Sequence, residues 1–196
     1  GCRGSEWLAA RYLRYRSAPA EAPTGTFPAD SDPEDRIRNH RVGKHREMLE
    51  TIERVPVVII EEPGELARVL AARIAELIRR RTEEGNTAVL GLATGSTPLG
   101  IYRELIRMHR EEGLDFSNVV TFNLDEYYPM ERESIHSLYR YMWENLFEHV
   151  NIPPENVHIP RGDIPRSEVE AHCREYERQI REAGGIDFQI LGIGQT

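Results

Sequence analysis

Residues 88–127 read AVLGLATGSTPLGIYRELIRMHREEGLDFSNVVTFNLDEY, and the period of the apolar residues changes twice within them. Residues 88–92 are a short apolar run of strand length. Leu99, Tyr102, Leu105, Ile106 and His109 then recur at helical spacing, with Pro98 in the first turn and Gly113 after the last. Residues 119–124, VVTFNL, return to a buried-strand pattern. Strand, helix and strand joined by short links predict a parallel pair with the helix packed across it.

The same alternation extends outward on both sides. Upstream, residues 57–60 (VVII) predict a buried strand, stopped by Glu62-Pro63-Gly64. Leu66, Val69, Leu70, Ile74, Leu77 and Ile78 mark one face of a helix that Pro63 opens and Gly85 ends. Downstream, Leu138, Met142, Trp143, Leu146 and Phe147 stripe a third helix, and Ile152-Pro153-Pro154 forces a turn. A short strand at 157–159 follows, then a helix marked by Val169, Cys173, Tyr176 and Ile180, the pair Gly184-Gly185, and a last strand at 188–193. The expected architecture is α/β: a doubly wound, mostly parallel sheet with helices on both faces.

The first 54 residues differ in character. Residues 1–16 hold Arg3, Arg11, Arg14 and Arg16, whereas residues 17–35 hold Pro19, Pro23, Pro28 and Pro33 and no base. The proline stretch reads as a stiff polar linker. A peripheral helix is expected within 34–54, so the domains divide at 1–54 and 55–196.

Composition removes several classes. With Lys plus Arg at 25 against Asp plus Glu at 33, the net charge is −8, which argues against a general nucleic-acid binder because several phosphates would need a basic face. The longest apolar stretch, within 55–60, falls far short of the roughly 20 residues a membrane helix requires. Cys2 and Cys173 form no framework, and the seven histidines show no ligand pairing, so no metal is expected and a reducing cytoplasm fits. The chain begins with Gly, which reads as a trimmed start.

Ligands of an open parallel sheet bind outside the carboxyl ends of its strands, so three loops are candidates for one site. Thr94-Gly95-Ser96-Thr97-Pro98 runs into a helix N-terminus, where exposed amides and the helix dipole favour a phosphate. The same letters also describe a plain helix cap. Asp125-Glu126 follows the third expected strand, at 119–124; of two adjacent acids at a strand end, one at most faces the pocket. Such a carboxylate, raised toward neutrality by partial burial, can act as general base on a carbon beside a carbonyl; the alternative is a cap on the next helix. Tyr127 and Tyr128 read as pocket wall or packing. Gly192-Ile193-Gly194 allows close backbone approach to a ligand, and His136 lies near the acidic loop.

The segments VLGLATGSTPLGIYRELIRMHREEGL, VVTFNLDEYYPM, LFEHVNIPPENVHIPRG, CREYERQIREAGGID and LGIGQT resemble the amino-terminal half of the glucosamine-6-phosphate deaminase family, from about Val57 to Thr196. The resemblance implies a modified doubly wound sheet. It further implies an enzyme that opens the ring of glucosamine 6-phosphate, isomerises aldose to ketose and releases ammonia, giving fructose 6-phosphate with no organic cofactor. By resemblance Asp125 moves the proton between C1 and C2, and Gly95, Ser96 and Thr97 match the phosphate loop; Thr94, Glu126, Gly192 and Gly194 are expected beside them against the substrate. A small-molecule substrate and a homo-oligomer are expected, with no nucleic-acid or membrane partner.

The resemblance has two departures. Family members continue the glycine loop with an Asn-Asp pair and Gly-His, then Phe-Asn-Glu-Pro, whereas here Gln195-Thr196 stands at the pair. The relay acid is replaced by Thr, the ring-opening His and its Glu are absent, and the chain reads as a fragment of a longer protein. Two alternatives share the fold. A 6-phosphogluconolactonase would carry Arg where Tyr127 stands, and a sugar-phosphate sensor would carry a helix-turn-helix that residues 1–54 do not show.

Overall fold

The computed structural model describes residues 58–192. Among them, helices and strands alternate: α1 (Pro63–Glu83), β1 (Ala88–Leu92), α2 (Ser96–Glu112), β2 (Val119–Asn123), α3 (Leu138–Asn145), β3 (Val157–His158), α4 (Val169–Glu182) and β4 (Phe188–Gln189). All pairings are parallel, in the order β3-β2-β1-β4. The doubly wound class expected from the alternation is present. From Gly64 onward the described residues belong to one compact unit, while 58–63 fall in another.

Pleating sorts the strand residues between the two faces. Ala88, Leu90 and Leu92 of β1, with Val119 of β2, face a core filled by Ile74 and Ile78 of α1, Tyr102 and Leu105 of α2 and Met142 of α3. Val89 and Phe122 point the other way, where Tyr176 of α4 covers them. Tyr176 stands edge-on to Phe122, and its hydroxyl donates to the carbonyls of Asn123 and His158. Residues of β1 are buried at every position, as a strand covered on both faces requires.

The sheet order fixes where a ligand can sit. The chain builds from β1 outward through β2 to β3, then returns to place β4 on the other side of β1. Strand order therefore reverses at β1, and the loop after β1 opens at the crevice where this fold class binds ligands.

Two strand expectations need correction. Residues 58–60 form no strand, and Val58 and Ile59 are 58% and 41% exposed; an apolar run reads as sheet core only if a ladder receives it, and these have no strand partner among the described residues. The last strand, expected over 188–193, pairs only at Phe188–Gln189. The Ile190 N–H still reaches the Gly91 carbonyl, but Leu191 is 65% exposed, because nothing described covers the chain past that point. The proline-rich stretch and peripheral helix expected within 1–54 lie outside the described residues.

Candidate active site

Two helices present their N-termini at the carboxyl edge of the sheet, and they are finished differently. Helix α2 starts after Gly95, whose φ of 120° and ψ of 175° suit glycine almost alone. No side chain caps this end, and its first turn carries no acid. Gly95, Ser96 and Thr97 are exposed and Thr94 half-buried, so the loop is open to solvent. An uncapped N-terminus of this kind accepts an anion from solution. At the end of β1, the buried Tyr102 hydroxyl donates to the Ala93 carbonyl and fixes the chain just before the loop.

Helix α3 is finished by the protein itself. Glu126 Oε1 accepts the N–H groups of Tyr127 at 2.8 Å and Leu138 at 2.9 Å, and Oε2 accepts that of Tyr139 at 2.9 Å. The Arg140 N–H goes to Ser137 Oγ at 3.0 Å, and that hydroxyl donates to the Arg132 carbonyl at 2.7 Å. The Tyr141 N–H closes on the Ser137 carbonyl at 3.1 Å. Every donor of the first turn is satisfied, and a negative charge sits on the positive end of the dipole.

The two adjacent acids therefore separate, as their alternation along the chain requires. Glu126 is only 9% exposed, with both oxygens taken by backbone amides, which corrects its expected place against substrate: it is a cap. Asp125 keeps an exposed face while its carboxyl is partly buried. Desolvation, and then the charge of Glu126, hold its carboxyl above the usual carboxylate range. That is the direction a general base requires. The Leu124 N–H bonds the Leu92 carbonyl at 3.1 Å, so the strands carrying Asp125 and the 94–97 loop stay in register up to the site.

Two further contacts brace this edge. The Tyr141 hydroxyl, on α3, donates to the Gly95 carbonyl at 2.7 Å. The Met130 N–H donates to the Gly162 carbonyl at 2.9 Å, closing the loop after Asp125 onto the segment after β3. The Tyr128 hydroxyl adds a bond to the Ile164 carbonyl at 3.1 Å, although Tyr127 and Tyr128 are both exposed. Ser137 was missed, although a serine just before an apolar period is the signal of an N-cap. Tyr141 carried no signal, since it lies off the apolar stripe of its helix.

The remaining candidates contribute less. Gly192 is exposed, with open space where a β-carbon would stand, and Gly194, Gln195 and Thr196 lie outside the described residues. His136 is exposed, and its N–H bonds Ser134 Oγ at 3.2 Å. Among the described residues no cluster of His, Cys, Asp or Glu could hold a metal, and no helix is long and apolar enough to cross a membrane.

The site is a parallel α/β sheet edge that sets an open helix N-terminus, suited to an anion, beside a carboxylate with a raised pKa. The chain belongs to the glucosamine-6-phosphate isomerase/6-phosphogluconolactonase family, whose model matches residues 61–196. It is 49% identical over 138 residues to a glucosamine-6-phosphate deaminase of Clostridium botulinum strain Langeland, a match covering 70% of this chain and 54% of that protein. To the deaminase of Thermoanaerobacter sp. strain X514 it is 50% identical over 125 residues, covering 64% and 49%. A solved monomeric glucosamine-6-phosphate deaminase superposes with a TM-score of 0.63 at 41% identity, covering 68% of this chain and 53% of that one. The 6-phosphogluconolactonase of Thermotoga maritima does so at 0.54 and 29%, covering 65% and 56%. The chain thus spans about half the length of the curated relatives it matches.

Proposed function

We propose that the protein to which this chain belongs is a glucosamine-6-phosphate deaminase, converting the amino sugar phosphate to fructose 6-phosphate and ammonia. The supporting observation is the division of labour at one sheet edge: the α2 N-terminus is left open, while Glu126 fills the α3 N-terminus and leaves Asp125 free. The phosphate lies against the amides and hydroxyls of 94–97. In the open-chain aldose, C2 bears hydrogen and nitrogen and adjoins the C1 aldehyde. Asp125 takes the C2 proton as electrons move toward the C1 oxygen, which gains the proton the amine gives up, and then returns a proton to C1. The C2 imine left behind adds one water and expels ammonia, leaving the ketone. Holding the phosphate in place turns proton transfer into an oriented step within one complex.

The lactonase reading has less support: identity to the solved lactonase is 29%, against 49% to the curated deaminase. Cytoplasmic location and self-association belong to the same proposal, and sedimentation of the whole protein tests the second. Ammonia release from glucosamine 6-phosphate, with deuterium uptake from solvent at the exchanging carbon, tests the activity. Fructose 6-phosphate is expected to raise the melting temperature with the logarithm of its concentration. Flat melting curves at millimolar ligand and no ammonia would overturn the proposal.

A further inference from the structure

The first turn of α3 touches both halves of the site, although it contributes no side chain to the substrate in the reading above. At one end its Leu138 and Tyr139 amides grip Glu126, the residue next to Asp125. From the same turn the Tyr141 hydroxyl reaches the carbonyl of Gly95, the residue that opens α2. The anchoring is stiff on chemical grounds, because Glu126 uses both oxygens on amides of a helix N-terminus and Ser137 closes the remaining donor. The Gly95 bond acts on an unusual backbone: a residue at φ 120° directs the following amides, so a hydroxyl fixed on its carbonyl sets where they point.

We infer that α3 is a strut whose Glu126 and Tyr141 contacts together set the spacing between the base Asp125 and the anion-binding amides of 94–97, making both side chains positioning residues. The inference rests on the assignment of base and cradle given under the proposed function. Without the strut, the two loops would be held through the β1–β2 ladder, whose last bond runs from the Leu124 N–H to the Leu92 carbonyl at the point where both loops begin.

A double-mutant cycle in the whole protein tests this, using Tyr141→Phe and Glu126→Gln. Tyr141→Phe removes one hydroxyl and is expected to raise KM for glucosamine 6-phosphate about threefold to tenfold, the range of one hydrogen bond, with a smaller fall in kcat. Glu126→Gln places an amide NH₂ against backbone N–H groups and is expected to fall mainly on kcat and on deuterium uptake. Because one strut carries both effects, the double variant should lose less kcat/KM than the product of the single losses. A product reproduced within about twofold, as for independent sites, overturns the inference.

Hydrogen exchange supplies a readout independent of turnover. In Tyr141→Phe the Leu138 and Tyr139 amides should lose protection at least severalfold, although neither bonds Tyr141; unchanged protection overturns the strut even if Glu126→Gln does not fold. If the wild-type protein neither releases ammonia nor binds fructose 6-phosphate while this exchange response persists, the functional assignment fails and the mechanical coupling stands.

Discussion

A β-carbon placed on Gly162 would stand 2.3 Å from the Tyr127 carbonyl oxygen and 2.8 Å from Met130 Cβ. The segment after β3 therefore crosses the loop after Asp125 at a distance only glycine permits, and the Met130–Gly162 bond depends on that approach. Gly162→Ala is expected to destabilise the fold by about 1–3 kcal/mol, the cost of overpacking against atoms that cannot yield. Because the displaced loop carries Asp125, kcat should fall with stability. Urea unfolding with parallel kinetics checks both, and an unchanged midpoint would mean that the loop moves aside freely.

Gly95 is sensitive for a different reason. Its β-carbon would meet nothing closer than Pro98 Cδ at 3.9 Å, so Gly95→Ala creates no clash. The penalty lies in the backbone, since φ 120° with ψ 175° costs other residues of order 1–3 kcal/mol. Relaxing that strain turns the α2 amides away from their common direction. Calorimetric titration with fructose 6-phosphate should show affinity reduced about tenfold or more, whereas an unaltered dissociation constant would remove the 94–97 loop from phosphate binding.

The fold was readable where burial on both faces imposed continuous apolar runs, as in β1 and β2, and where Pro98 and Gly113 bounded α2. It was misread at 58–60, because a short apolar run looks alike whether or not a ladder receives it. For the site, the open loop and the parting of two adjacent acids followed from local geometry. Which acid would cap did not, since Glu126 reaches amides twelve and thirteen positions away and only the folded loop brings them near. Tyr141 was invisible for the same reason, its acceptor lying 46 residues back.

Thr121 offers a test of the core beneath the site. It is 2% exposed on the face shared with Leu90, and its hydroxyl has no hydrogen-bond partner. Burying an unpaired hydroxyl costs roughly 1–3 kcal/mol, and valine matches threonine in shape without that group. Thr121→Val is therefore expected to raise the melting temperature, a rare outcome for a core substitution. A lowered melting temperature would indicate that the hydroxyl is satisfied in solution, for instance by a buried water.

Asp125→Asn should separate chemistry from stability. The amide is nearly isosteric with the carboxylate but cannot accept the C2 proton, so turnover should drop by about 10²-fold or more with fructose 6-phosphate binding retained. Stability should move the other way. Desolvation and the neighbouring Glu126 charge raise the Asp125 pKa, so the folded chain holds this proton more tightly than the unfolded chain. Stability from the group is complete below the unfolded carboxylate pKa of about 4 and declines as pH rises through the higher folded value. Asparagine has no charge to desolvate, so the variant should melt above wild type at pH 7, with the advantage closing as pH falls through the folded value toward about 4. Melting curves across that window decide it: a variant less stable than wild type at neutral pH would show that Asp125 is held by favourable partners and is not poised as a base.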